Sequence, residues 1–148
     1  MALIENRKFN LKYEAVEKFE AGIELLGHEV KSVRAKHGSL EGARVLVRGN
    51  EAFLVGMTIP PYQPKNTPAG YDQERTRRLL LHKTEIASLV GVESRKGLTI
   101  VPISVYNKGK VIKVSVALAR GKKKFDKRAD IKKREGDREI RRTLKGEL

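Results

Sequence analysis

The sequence predicts a mainly β protein, a small antiparallel barrel or sandwich with two short helices and a strongly basic C-terminal tail. Three observations carry this. Apolar residues recur with a period of two in several short runs, separated by turns that contain glycine or asparagine. Helical spacing occurs in only two stretches of the body, both short. The charge is uneven: residues 1–119 hold 19 basic and 12 acidic side chains, net +7, while residues 120–148 hold 13 and 6, also net +7. A chain of 148 residues suits one domain with a real core. The reading is therefore a mildly basic body, 1–119, followed by a tail, 120–148.

Taken in chain order, Tyr13 to Glu17 and Gly22 to Leu26 read as one long strand bent at Ala21-Gly22. Glu29 to Lys36 reads as a helix, with Val30, Val33 and Arg34 at helical spacing and Gly27 and Gly38 at its bounds. Val45 to Arg48, Gly49-Asn50 and Glu51 to Val55 form a hairpin pattern with a tight turn. Ile59 to Gly70 contains four of the five prolines and reads as a long loop within the domain. Leu79 to Val90 carries Leu79, Leu80, Ile86, Leu89 and Val90, with Gly91 as a stop signal, and reads as the second helix. Leu98 to Tyr106 is a strand whose Pro102 requires a sheet edge or a bulge. Asn107 to Lys110 turns the chain. In the strand Val111 to Leu118, Ile112, Val114, Val116 and Leu118 share one face and Lys113 and Ser115 the other. The tail carries weak helix supports at Asp130–Arg134, Asp137–Arg141 and Ile140, Leu144 and Leu148. Gly136 and Gly146 oppose them, so the tail is expected to be disordered when free and to fold along an anionic partner.

Composition narrows the function. With no cysteine, disulfides, thiolate catalysis and Cys-based zinc sites are excluded. No apolar run has the length of a membrane span, and the first eight residues lack the apolar stretch of a signal peptide, which fits a cytoplasmic protein without membrane association. There is no glycine-rich phosphate loop after a strand and no serine nucleophile elbow. His28, His37 and His82 show no metal-ligand spacing. The expectation is a protein that is no enzyme and holds no cofactor or metal. A net charge of +14 calls instead for a polyanionic partner, with nucleic acid foremost. A basic barrel of this size fits an OB-like fold, whose face binds nucleic acid.

Two basic clusters are candidate contacts. Arg75-Thr76-Arg77-Arg78 precedes the expected second helix, where positive charge opposes the helix dipole unless an anion such as an RNA backbone meets it. A solvated helix start is the plainer alternative. Lys122-Lys123-Lys124-Phe125-Asp126-Lys127-Arg128 places one aromatic ring inside a basic run, an arrangement that meets phosphates with lysines while Phe125 stacks on a base. Its alternative is a polybasic tail with an incidental Phe. A general single-strand-binding OB module would present several stacking aromatics, whereas this chain has eight in total and one in the tail. That favours a folded RNA. A polybasic membrane-surface protein would need an apolar face beside the charge, which the tail lacks.

The chain resembles the SsrA-binding protein family in Phe19 through Arg34, Thr76 through Lys83, Gly97-Leu98-Thr99, Leu118 through Lys123 and Asp126-Lys127-Arg128, in family order. The resemblance implies an OB-like barrel with flanking helices, binding to transfer-messenger RNA, and entry with that RNA into a stalled ribosome as a monomer. It implies a body in place of the missing anticodon arm and a tail in the empty mRNA channel, against small-subunit RNA at the decoding centre. Glu20 falls at an acidic position needed for RNA binding, Leu80 at an apolar one and His82 at a polar one. Phe125 falls at a ring position of the decoding-centre tail, and Asp126-Lys127-Arg128 at the tail motif needed for tagging. In physical terms Glu20 accepts from base or 2′-hydroxyl donors, or else orients an arginine in an internal ion pair. Leu80 covers an exposed base, or else packs in the core.

Overall fold

A computed structural model of the chain describes residues 2–63, 65, 67–92, 95 and 97–122. Seven strands and three short helices follow in order: β1 (Ala2–Glu5), α1 (Phe9–Lys12), β2 (Tyr13–Ile23), α2 (Gly27–Arg34), β3 (Arg44–Arg48), β4 (Glu51–Val55), β5 (Arg77–Leu80), α3 (Lys83–Leu89), β6 (Leu98–Lys108) and β7 (Val111–Gly121). All strands join one antiparallel sheet of order β1-β6-β7-β2-β5-β4-β3. It curls so that β3 approaches β6 across the interior, while its edges β1 and β3 stay unpaired with each other. The expected barrel is thus a curled open sheet, OB-like rather than sealed.

The inner face follows the alternation read from sequence. Val45, Leu54, Leu79, Ile100, Val105, Val114 and Val116 fill the core, joined by Val33 of α2 and Leu89 of α3. Each such side chain contributes roughly 1.5–3 kcal/mol by leaving water. The β3–β4 hairpin has its turn at Gly49 (φ 56) and Asn50 (φ 62), the paired positive φ of a type I′ turn, whose twist matches the strands. Pro102 sits in a strand flanked on both sides, so of the two options it takes the bulge: the β6–β7 register shifts between Pro102 and Ser104. Asn6 meets the carbonyls freed there, its Nδ2 donating to Pro102 O (2.9 Å) and its backbone N–H to Ile103 O (2.8 Å).

Two expectations are corrected, and one helix is added. The stretch Leu79 to Val90 is not one helix. Arg77 to Leu80 forms β5, paired with β2 and β4, and only Lys83–Leu89 is helical. Burial alternates buried, exposed, buried, exposed along β5, and cross-strand pairing overrides the helical preference of leucine. The irregularity of β2 falls between Ala15 and Glu17, not at Ala21-Gly22. At Gly22 the strand instead runs between two partners, β7 and β5. Finally α1, unforeseen, lays Phe9 over the outer face against Val101, Ala117 and Ala119. It covers one half of that face and leaves the other half open.

Both longer helices start on a glutamate at the third position that reaches back to the chain entering the helix. Leu26 N–H donates to Glu29 Oε1 (2.8 Å) and His82 N–H to Glu85 Oε1 (3.0 Å). These bonds satisfy donors that a helix start leaves open. Among the described residues no helix is long and apolar enough to cross a membrane.

Candidate nucleic-acid interface

The open half of the outer face is built from four adjacent strands. Tyr106 of β6 lies opposite Lys113 of β7, Lys113 opposite Gly22 of β2, and Gly22 opposite Leu80 of β5. These four residues form one rung. Glu20, two residues along β2 and opposite Ser115, stands on the same face one step away, and Lys18 lies beyond it opposite Ala117.

Glu20 is held from two strands away. Tyr106 Oη donates to Glu20 Oε2 (2.5 Å) and Lys108 Nζ to Glu20 Oε1 (2.7 Å). The Lys108 hydrogen bond, then that of Tyr106, with the charges of Lys108 and Lys113, hold the Glu20 carboxyl below its ordinary value against the opposing effect of burial. Burial, the hydrogen bond to Glu20 and the Glu20 charge push the Tyr106 phenol up to about 12. At neutral pH the pair is a carboxylate and a protonated phenol, a fixed anion on a basic face. The internal partner is a lysine and a tyrosine rather than the arginine weighed from sequence.

Leu80 is 49% exposed and outside the core. Its side chain lies across Gly22, where an added Cβ would stand 3.2 Å from Leu80 Cβ and 3.4 Å from Cδ1. Arg78 shares that outer face, half-exposed, with Glu51 at 3.2 Å and Glu24 at 3.6 Å. His82 is exposed at the start of α3. Glu20, Leu80 and Arg78 thus come onto one surface, with His82 two residues past the end of β5.

Arg75 and Arg77 do not join it. Arg77 points inward with none of its surface exposed. Its Nε (2.9 Å) and Nη2 (2.6 Å) donate to Glu29 Oε2, Nη1 to Met57 O (2.7 Å) and Nη2 to Gln73 O (3.0 Å). Arg75, partly exposed, donates Nε to Glu29 Oε2 (3.1 Å) and Nη2 to Glu29 Oε1. Tyr71 Oη adds a bond to Glu29 Oε2 (2.8 Å). Burial pushes the Glu29 carboxyl up, but the donors from Arg75, Leu26 N–H, Arg77 and Tyr71 outweigh it and hold the group at about 2. An arginine cluster expected at the RNA surface is in this part a buried clamp between α2, β5 and the proline-rich loop. The charge run in the sequence carries no sign of which arginine turns inward. The alternation within β5 does, once that segment is read as a strand.

Four residues of this face escaped the sequence reading: Gly22, Tyr106, Lys108 and Lys113. Strand periodicity puts Lys113 on the outer face, but only the register across β6, β7 and β2 brings it beside Gly22 and Tyr106. Lys122 N–H, just past the end of β7, donates to Lys12 O (2.8 Å). Lys123, Lys124, Phe125, Asp126, Lys127 and Arg128 lie outside the described residues, as does the expected disorder of the tail. Among the described residues no group of three or more His, Asp or Glu side chains is placed to hold a metal.

Fold and surface together define a class: a small basic protein of the OB-like kind, with a curled antiparallel sheet and one open polar face. Comparison with known proteins narrows it. The family model described as SmpB protein matches residues 3–146. An SsrA-binding protein of Microcystis aeruginosa (strain NIES-843 / IAM M-2473) is 47% identical over 97% of this chain and 93% of its own length. One of Azoarcus sp. (strain BH72) is 46% identical over 98% of both. A solved structure described as "tmRNA-SmpB: a journey to the center of the bacterial ribosome" contains a chain 44% identical, with a TM-score of 0.67, matched over 81% of this chain and 84% of that one. The chain belongs to the SmpB family of SsrA-binding proteins.

Proposed function

We propose that this chain binds transfer-messenger RNA (SsrA RNA) and delivers it to stalled ribosomes for trans-translation. The observation that carries the reading is similarity along almost the whole chain to proteins named for SsrA binding, at 46–47% identity. The surplus of positive charge supplies the general attraction to RNA.

The labour is divided between body and tail. The body, 1–119, holds the folded RNA and stands in for the missing anticodon arm. Glu20 and Leu80 meet bases, and Arg78 and His82 meet the backbone beside them. Arg75 and Arg77 serve the same surface indirectly, by locking β5 and α2 through Glu29. The tail, 120–148, enters the empty mRNA channel, where Lys122, Lys123, Lys124, Lys127 and Arg128 meet small-subunit RNA, Phe125 stacks near the decoding centre and Asp126 completes the motif. The chain works by binding, as a cytoplasmic monomer, with no cofactor and no bond-making step of its own.

A competition experiment tests this. Labelled transfer-messenger RNA bound to the full chain is challenged with unlabelled transfer-messenger RNA, transfer RNA or bulk single-stranded RNA at several salt concentrations. The expected result is displacement by the first at far lower concentration than by the others, with affinity falling steeply with salt. Equal displacement by all three would reduce the chain to a general single-strand binder.

A further inference from the structure

In the sheet order β1 sits beside β6, and β2 sits beside β7 on the far side, so the link from β1 to β2 passes across β6 and β7. That link, Asn6 to Tyr13, carries α1, a helix of four residues. A helix so short does not hold itself in water. It is held at three places. On the β6 side Asn6 Nδ2 donates to Pro102 O (2.9 Å) and Asn6 N–H to Ile103 O (2.8 Å). In the middle Phe9 is buried against Val101, Ala117 and Ala119, and the two alanines of β7 are small enough for the helix to come down onto the strand. On the β2 side Tyr13 pairs with Gly121, the last residue of β7, and its ring lies 5.8 Å from that of Phe9.

The helix ends where β7 ends. A helix terminus leaves its last carbonyls without a partner. The carbonyl of Lys12, the last residue of α1, takes the Lys122 N–H (2.8 Å), and on the other flank Gly121 N–H donates to Gly97 O (3.3 Å). The end of the last strand is therefore tied on both sides and covered by Phe9. Like charge works against this closure, since Lys8 and Lys12 belong to the same link as Arg120 and Lys122 approach it. Glu41 offsets part of it through Lys8 Nζ (2.5 Å). A strand end would ordinarily fray. This one leads directly into the residues that hold half of the surplus charge.

We infer that the link from Asn6 to Tyr13 is a positioning element for the basic tail. Phe9 and the Lys12 carbonyl fix the point and direction from which the chain beyond Lys122 departs, so that engagement of the tail on the ribosome depends on them and RNA binding by the body does not. This rests on the division of labour proposed above. Phe9 lies on the covered half of the outer face, whereas Glu20 and Leu80 lie on the open half. Body and tail act as two modules on one assembly, and the effective concentration of the second at its site follows from how its starting point is held. A junction ordered beforehand also spares docking that loss of entropy.

The test compares full-length variants with the parent in three measurements: affinity for transfer-messenger RNA by filter binding, peptide transfer to that RNA on a message without a stop codon at saturating complex, and amide hydrogen exchange along β7. Phe9→Ala is expected to bind the RNA within about twofold of the parent and to transfer about tenfold more slowly, the order expected from ordering one backbone residue. Its exchange is expected to accelerate over Ala119 to Lys122 and to stay unchanged at Val114 and Val116, a selectivity that general loss of stability does not produce. Phe9→Leu, which refills the contact, is expected to recover transfer to within about threefold of the parent. Lys122→Pro removes the N–H donor, and Lys122→Ala loses the same side chain but keeps that donor. The proline variant is expected to transfer about tenfold more slowly than the alanine variant, at equal RNA affinity. If Phe9→Ala does not fold, the Lys122 pair decides alone. Transfer by Phe9→Ala at the parent's rate, or by the proline variant at the alanine variant's rate, overturns the inference and leaves the proposed function standing. So does a loss of RNA affinity by Phe9→Ala in parallel with transfer. A parent chain that neither binds the RNA nor supports transfer overturns the proposed function, and this inference with it.

Discussion

Replacing Glu29 by glutamine removes the one anion in a buried cluster that holds two arginines. Glu29 accepts from Arg77 Nε (2.9 Å) and Nη2 (2.6 Å), from Arg75 Nε (3.1 Å), from Tyr71 Oη (2.8 Å) and from Leu26 N–H (2.8 Å). The glutamine keeps the shape and part of the hydrogen bonding. It leaves the Arg77 guanidinium, with no exposed surface, without a counter-charge. Breaking a buried pair from one side costs about 3–5 kcal/mol. For a folded unit of this size that corresponds to a fall in Tm of roughly 10–20 °C. The pH dependence gives a second reading. Folding lowers the Glu29 carboxyl from its ordinary 4.5 to about 2. A carboxyl depressed on folding stabilises the fold above its unfolded value, and that contribution disappears as pH falls through the folded value. The melting gap between parent and Glu29→Gln is therefore full at pH 7, narrows from about pH 4.5 and closes near pH 2, a linkage contribution on the order of 3 kcal/mol. Thermal melts by circular dichroism at pH 7, 5, 4 and 3 read both. A variant within about 2 °C of the parent at pH 7, or a gap that stays constant into acid, would refute the clamp.

Further outcomes follow from the same geometry. Arg77→Met lowers Tm but leaves the slope of log affinity against log salt unchanged, because the lost charge never met a phosphate. Lys113→Ala flattens that slope by roughly 0.7–0.9, as titration of RNA binding with salt would record. Gly56→Ala costs about 1–2 kcal/mol in urea unfolding: residue 56 has φ 87, and a Cβ there would stand 3.2 Å from Gly42 O. Removing Lys123–Leu148 spares most of the affinity for transfer-messenger RNA in a filter-binding assay, since the contacts proposed for that RNA all sit on the body.

Much of the body was legible because its determinants are local. Val111 to Leu118 alternates cleanly, and the two residues of Gly49-Asn50 specify a tight turn and with it the register of β3 against β4. Pro102 carries its own message, since it has no N–H to give to a ladder, and the bulge is where the structure accommodates it. The misread segment, Leu79 to Val90, shows the limit. Three successive leucines fit either a helix or a strand, and only pairing with Gly22-Ile23 and Ala52 to Leu54 decides. The site divides in the same way. Glu20 and Leu80 are single positions, named through the family resemblance of the short blocks that contain them. Their setting, with Tyr106 and Lys108 contacting Glu20 from 86 and 88 residues away, depends on register between distant strands. The inward turn of Arg77 likewise depends on Glu29, 48 residues earlier.

The proposed function is delivery of transfer-messenger RNA to a ribosome with an empty mRNA channel. The most direct measurement is transfer of the stalled peptide to transfer-messenger RNA in a reconstituted translation system, on a message that ends without a stop codon. With the full chain, transfer is expected in proportion to added protein. With Lys123–Leu148 removed, RNA binding persists and transfer is abolished. Transfer at an undiminished rate with the truncated chain, or with no chain at all, would overturn the proposed function.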